Sequence, residues 1–159
     1  MRALGHAVLG VALAGAAAMP LGAHAQSTDS TAETAKLMQT SRDWSRAAAS
    51  GDAEKILAYW TDNATLILPG QPALRGAEAI RAYLARTLKA PGFHIRWEPL
   101  WGTVSGDLGY LVERTYVTAN DPSGHPTTEI LQSVTVWRRQ PDGRWLNEVD
   151  VSTPAPPAR

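Results

Sequence analysis

The stretch Phe93–Ala119, FHIRWEPLWGTVSGDLGYLVERTYVTA, decides the fold. Two long runs rich in β-branched and aromatic residues, Phe93–Val104 and Leu108–Ala119, flank Ser105-Gly106-Asp107, the residue types that a tight reversal needs. The pattern then repeats. Thr127–Arg139 and Arg144–Thr153 follow, set off by Asp121-Pro122-Ser123-Gly124 and Pro141-Asp142-Gly143. Strands joined by such short connections predict an antiparallel meander.

Upstream the period changes to helical. Ser30 and Glu33 have capping-box spacing and predict a helix running to about Ser50, with Leu37, Ser41, Trp44 and Ala48 on one face. Gly51 is a natural stop, and Asp52 an N-cap for a second short helix through Tyr59-Trp60. A short strand, Thr65–Leu68, is broken by Pro69-Gly70-Gln71-Pro72. A third helix after Gly76 presents Ile80, Tyr83, Leu84 and Leu88 inward and ends at Pro91-Gly92. Helices first and strands after is an α+β plan, with three helices covering one face of the sheet.

The ends read differently. In residues 1–25, Arg2 precedes the apolar run Val8–Ala18, and Ala23-His24-Ala25 fits a small-x-small cleavage pattern. This predicts a signal peptide cleaved before Gln26 and a periplasmic or secreted product. A flexible tether is expected over residues 26–33, one domain over 34–153 and a disordered tail over 154–159. Arg2 is the only Lys or Arg in the leader, so the mature chain has 14 basic against 15 acidic residues. That balance gives no electrostatic footprint for nucleic acid, and after cleavage none for a membrane. The chain has no cysteine, so packing alone holds the core. Its six tryptophans suit a core that opens onto a partly wet cavity.

The run L57-AYWTDNATLILPGQPALRGAEAIRAY-L84 resembles the SnoaL-like, DUF4440-type branch of the NTF2-like (ketosteroid-isomerase-like) superfamily. So do G106-D-L-G-Y110, D121-P-S-G124, V136-W-R-R139 and D142-G-R-W145. The resemblance spans roughly Thr34 to Ser152. It implies a cone, a strongly curved antiparallel sheet of a short strand plus a four-stranded meander wrapped round three helices, with a pocket at the open end. It does not imply a reaction, because the superfamily holds isomerases, dehydratases, hydrolases and cyclases.

Candidate pocket residues follow from strand alternation. In Phe93–Val104 the odd positions turn Trp97 and Trp101 inward and His94 outward. Trp44 and Trp60 join them as candidate substrate-binding residues. Glu113, set among apolar and β-branched neighbours, is a candidate buried acid and catalytic residue; Glu129 reads as a solvated residue near a strand end. In R144-WLNEVDV-S152 plain parity sends Glu148 and Asp150 toward solvent, but a bulge would reverse it. The resemblance places an acidic residue near the cavity at Asp150, which makes Asp150 the second catalytic candidate. A paired dyad of Glu148 and Asp150 is not expected.

The remaining chemistries lack residues. His94 and His125 are the only histidines beyond the leader, and there is no thiol, phosphate-cradling loop or nucleophile elbow. No metal and no cofactor are expected. Three readings are open: a protein binding a small hydrophobic or aromatic ligand in a Trp-lined pocket; a cofactor-free isomerase, dehydratase or hydrolase with a pocket carboxylate as general acid or base; and a homodimeric interaction domain.

Overall fold

The computed structural model describes residues 22–156. Most of the expected signal peptide therefore lies outside the described residues, as do the last three residues of the expected tail. Three helices, α1 (Gly22–Ala49), α2 (Ala53–Leu57) and α3 (Ala77–Thr87), pack on one face of a six-stranded sheet. Its strands are β1 (Trp60–Ile67), β2 (Leu74–Arg75), β3 (His94–Ser105), β4 (Leu108–Asn120), β5 (Pro126–Arg139) and β6 (Trp145–Pro154), in the spatial order β2-β1-β6-β5-β4-β3.

The expected α+β class and the meander are present. Strands β3 to β6 pair antiparallel in sequence order. Gly106, Gly124 and Gly143 in the three connections adopt positive φ, the conformation that their turns require. Beyond the meander, β1 runs parallel to β6 and extends the curved sheet, with the two-residue β2 at its edge. Asp52 caps α2 as expected, accepting from the Glu54 and Lys55 amides.

Three boundaries differ from the expectation. Helix α1 already begins at Gly22, so Ser30 lies inside it and caps nothing. Its hydroxyl instead donates to the Val104 carbonyl at 2.7 Å, tying the helix to β3. Trp60 opens β1 rather than closing α2, because its backbone enters the β6 ladder opposite Asn147. At the other end Pro154 is still the last residue of β6, and the Ala155 amide donates to the Ile130 carbonyl.

Helix α1 lies across β3, and its approach depends on glycine. A Cβ on Gly109 would stand 2.6 Å from a Leu37 methyl and 2.9 Å from one of Val104, so only hydrogen fits. Leu37 is completely buried there. Four tryptophans fill the middle of the cone. Trp44 is the hub, its ring centroid 4.3 Å from Trp97, 5.4 Å from Trp137 and 5.5 Å from Trp60, each at a steep edge-to-face angle. That is the arrangement aromatic quadrupoles favour.

Two β-bulges set which side chains enter the cone. On β3 the register runs from Pro99 opposite Glu113 to Trp101 opposite Val112, leaving Leu100 as the extra residue. Proline has no N–H for the ladder, which is why such residues sit on edge strands and at bulges. On β6 the register runs from Asn147 opposite Trp137 to Val149 opposite Val136, with Glu148 as the extra residue. Each bulge reverses the alternation of everything beyond it.

Candidate functional site

The cone encloses a cavity of about 230 Å³. Of the four tryptophans expected at the pocket, Trp44, Trp60 and Trp97 line it. Trp101 does not, and this corrects that expectation. Past the Leu100 bulge it points to the outer face, 55% exposed, where its ring packs edge-on against Tyr110. Leu66, Ile80 and Tyr83 complete much of the apolar wall. His94 is exposed and lies away from this cavity, as alternation implies.

Glu113 and Asp150 both line the cavity. Glu113 reaches it by plain alternation along β4 and is only 1% exposed. Its two carboxylate oxygens have matching supports. The Ser41 hydroxyl donates to Oε1, and Ser41 in turn accepts from the Trp97 indole N–H at 3.2 Å. The Thr135 hydroxyl donates to Oε2 at 3.2 Å, and accepts from the Trp137 indole N–H at 2.8 Å. Since each indole can only donate, each hydroxyl oxygen is occupied as acceptor and its own proton is directed at the carboxylate. The network is built to hold a charge on Glu113. Burial nevertheless pushes its carboxyl up to about 7, the desolvation outweighing the Ser41 and Thr135 hydrogen bonds.

Asp150 arrives by the other route. The Glu148 bulge swings Asp150 inward, opposite Thr135 on one side and Leu66 on the other. The Ser152 hydroxyl, at a long 3.4 Å, is a weak support. Burial first, and the Glu113 charge second, push the Asp150 carboxyl up to about 8. Glu148, left at the bulge itself, turns outward and forms a two-pronged pair with Arg138 at 3.1 Å on each arm. The acid pair of this protein is thus Glu113 with Asp150, on strands separated by β5, and Thr135 lies between them.

The site holds more than the sequence reading named. Ser152, Ser133 and Thr115 form a row of hydroxyls across β6, β5 and β4, at 2.9 and 3.0 Å. Ser41 was visible only as a polar break in the apolar face of α1, and Thr135 only as a β-branched strand residue. Glu129, read as merely solvated, is exposed but also lines the cavity, at an inward position opposite Val117. The indole nitrogens of Trp44 and Trp60 are buried with no hydrogen-bond partner among the described residues. No three His, Cys, Asp or Glu side chains among the described residues gather into a metal-binding group.

Comparison with known proteins agrees with this architecture. Residues 41–148 match the SnoaL-like domain family. Among solved structures, a ketosteroid isomerase-like protein from Erwinia carotovora atroseptica aligns over 79% of this chain and 98% of its own, with 21% identity and a TM-score of 0.70. An NTF2-like protein with a cystatin-like fold from Novosphingobium aromaticivorans covers 84% of this chain and 89% of its own, at 20% identity and a TM-score of 0.65. A candidate dehydratase of the NTF2-like family from Streptomyces avermitilis covers 79% and 97%, at 19% identity and a TM-score of 0.64. Identities this low speak to fold alone. A comparison with curated protein sequences finds no match. The chain belongs to the SnoaL-like domain family and has the NTF2-like fold.

Proposed function

We propose that this chain is an acid–base enzyme acting on a small, largely apolar molecule held among Trp44, Trp60 and Trp97. The observation that supports this reading is the presence of Glu113 and Asp150 in one apolar cavity with no basic side chain in its wall among the described residues. Two such carboxyls cannot both ionise easily, so near neutrality the pair holds one proton. The indole-backed hydroxyls favour the charge on Glu113; the poorly supported Asp150 keeps the proton. That division gives a base and an acid in one site without a cofactor.

In the proposed reaction Glu113 takes a proton from a carbon of the substrate. Asp150 donates a hydrogen bond, or its proton, to the oxygen on which negative charge develops. If that oxygen is a carbonyl, the proton held by Glu113 returns to another carbon and the outcome is isomerisation. If it is a hydroxyl on the neighbouring carbon, it leaves as water with the Asp150 proton, and the outcome is dehydration. The expectation of a hydrophobic or aromatic ligand is kept, and chemistry is added to it. We place the activity outside the cytoplasm on the strength of Val8–Ala18 and Ala23-His24-Ala25.

The test is turnover of a panel of β-hydroxy carbonyl compounds and β,γ-unsaturated ketones by wild type, Glu113→Gln and Asp150→Asn. Loss of a general acid or base should reduce turnover by about 10²-fold or more. Turnover that both variants leave unchanged would contradict the proposal.

The outer face of the sheet supports a second and compatible reading, pairing with another copy of the chain. Trp101, Tyr110, Ile130 and Val134 are all exposed there. Sedimentation of wild type and Trp101→Glu tests it, with dimer expected for the first and monomer for the second; a monomeric wild type would contradict it.

A further inference from the structure

The cavity has a charge imbalance that bears on what it takes. Its wall carries Glu113 on β4, Asp150 on β6 and Glu129 on β5; among the described residues the phenol of Tyr83 on α3 is the only other titratable group. Among the described residues neither α1, α2, β1 nor β3 contributes a charged side chain to the wall, and no Lys, Arg or His lines it. The rest is apolar or aromatic, with Trp44, Trp60, Trp97, Tyr83 and Phe93 on several sides. A carboxylate buried among such groups is costly unless a cation pairs with it, and Glu113 has none in the cavity wall among the described residues.

We propose that the ligand of this cavity is an organic monocation, a protonated amine carried on a compact apolar or aromatic body. The aromatic enclosure, not the acids alone, points to this class. Aromatic faces attract ammonium groups, and their attraction grows where water is excluded. An anion would meet two or three carboxyls and no donor cation. A neutral molecule would fill the space but leave the buried charge unpaired. A monocation balances the single charge of the pair, so that Glu113 and Asp150 keep the one proton they share and both retain their roles. Glu129 adds a negative charge at an exposed part of the wall, which raises the local concentration of a cation. This rests on the acid–base reading above and adds to it the charge of the substrate.

Three probes of similar shape separate the possibilities: phenethylamine, phenethyl alcohol and phenylacetate, titrated calorimetrically into the full protein near pH 6 and pH 8. Phenethylamine should bind tightest and phenylacetate weakest. Because the amine selects the ionised pair, its dissociation constant should fall about tenfold between those two pH values, while that of the alcohol stays constant. Adding Glu113→Gln to Asp150→Asn, which removes both carboxyls, should abolish the amine's advantage; Asp150→Asn alone, which leaves the Glu113 charge in place, should preserve it. If the double variant fails to fold, the pH dependence of the wild type decides alone. Equal or tighter binding of the alcohol or of phenylacetate, a pH-independent amine, or no saturable binding of any probe overturns the proposal. Failure here with turnover still lost in Asp150→Asn would leave the acid–base reading standing, so the two fail separately.

Discussion

Glu113 and Asp150 face one cavity from strands β4 and β6, with Thr135 of the intervening strand hydrogen-bonded to the first and directly opposite the second. The relationship depends on a single inserted residue. Without the bulge at Glu148, strand alternation would carry Asp150 to the outer face.

Deleting Glu148 removes the extra residue itself, so β6 should become regular with Val149 still opposite Val136 and Asp150 still inward opposite Thr135, and any activity that needs the pair should survive. Replacing it instead, Glu148→Ala, should leave activity intact. The lost partner, Arg138, is well exposed, so stability should change little. Denaturant melts and turnover of the two variants check this; a deletion variant that folds but has lost turnover would contradict the register drawn here for Asp150.

The two raised carboxyls make stability depend on pH in a defined direction. A carboxyl whose folded pKa lies above its unfolded value binds more protons when folded. Stability should be greatest in mild acid, fall as pH rises from the ordinary carboxylate range toward about 7 and 8, and level off beyond. Asp150→Asn should remove much of that fall and make the protein more stable than wild type near pH 8. Thermal melts across pH give the answer, and a variant with the wild-type slope would contradict the assignment.

Ser41→Ala should act through Glu113. It removes the donor to Oε1 and the acceptor of the Trp97 indole together. The expected loss is about 1–3 kcal/mol for the polar groups left unpaired, with the Glu113 midpoint moving further up. Ser41→Thr, which retains a hydroxyl, should restore the midpoint at least in part, whereas a purely steric role would leave the midpoint unmoved in both variants.

Trp44→Ala removes the hub of the aromatic cluster, a ring only 3% exposed. It should cost about 3–5 kcal/mol and enlarge the cavity. Chemical denaturation measures the first effect, and weakened binding of an apolar fluorescent probe the second.

The sequence carries the outline of this fold because its turns are written in residues that do little else. The strand ends around Gly106, Gly124 and Gly143, and the Asp52 cap, are local chemistry and appear where expected. What failed to show is non-local. The parallel pairing of β1 with β6 joins segments some 85 residues apart, and nothing in either states the direction of the other. The two bulges had opposite consequences for the site. That at Leu100 sent Trp101 outward against its alternation, although Pro99 beside it was a visible warning. That at Glu148 brought Asp150 inward, and without the family pattern plain parity would have left it in solvent. Glu113 needed no such help, because mid-strand position among apolar neighbours was enough. Ser41 and Thr135 look like ordinary helix and strand residues until the tryptophans behind them are seen in place.

The central claim, that Glu113 and Asp150 share a proton inside the cone, is tested most directly by a carboxyl NMR titration of wild type and Glu113→Gln. In the wild type the two groups should titrate near 7 and 8, Asp150 the higher. In Glu113→Gln the Asp150 midpoint should drop, since the charge that helps to hold its proton is gone, while remaining above the ordinary aspartate range because burial persists. Two carboxyls titrating in the ordinary range, or an Asp150 midpoint unmoved by the substitution, would contradict the account.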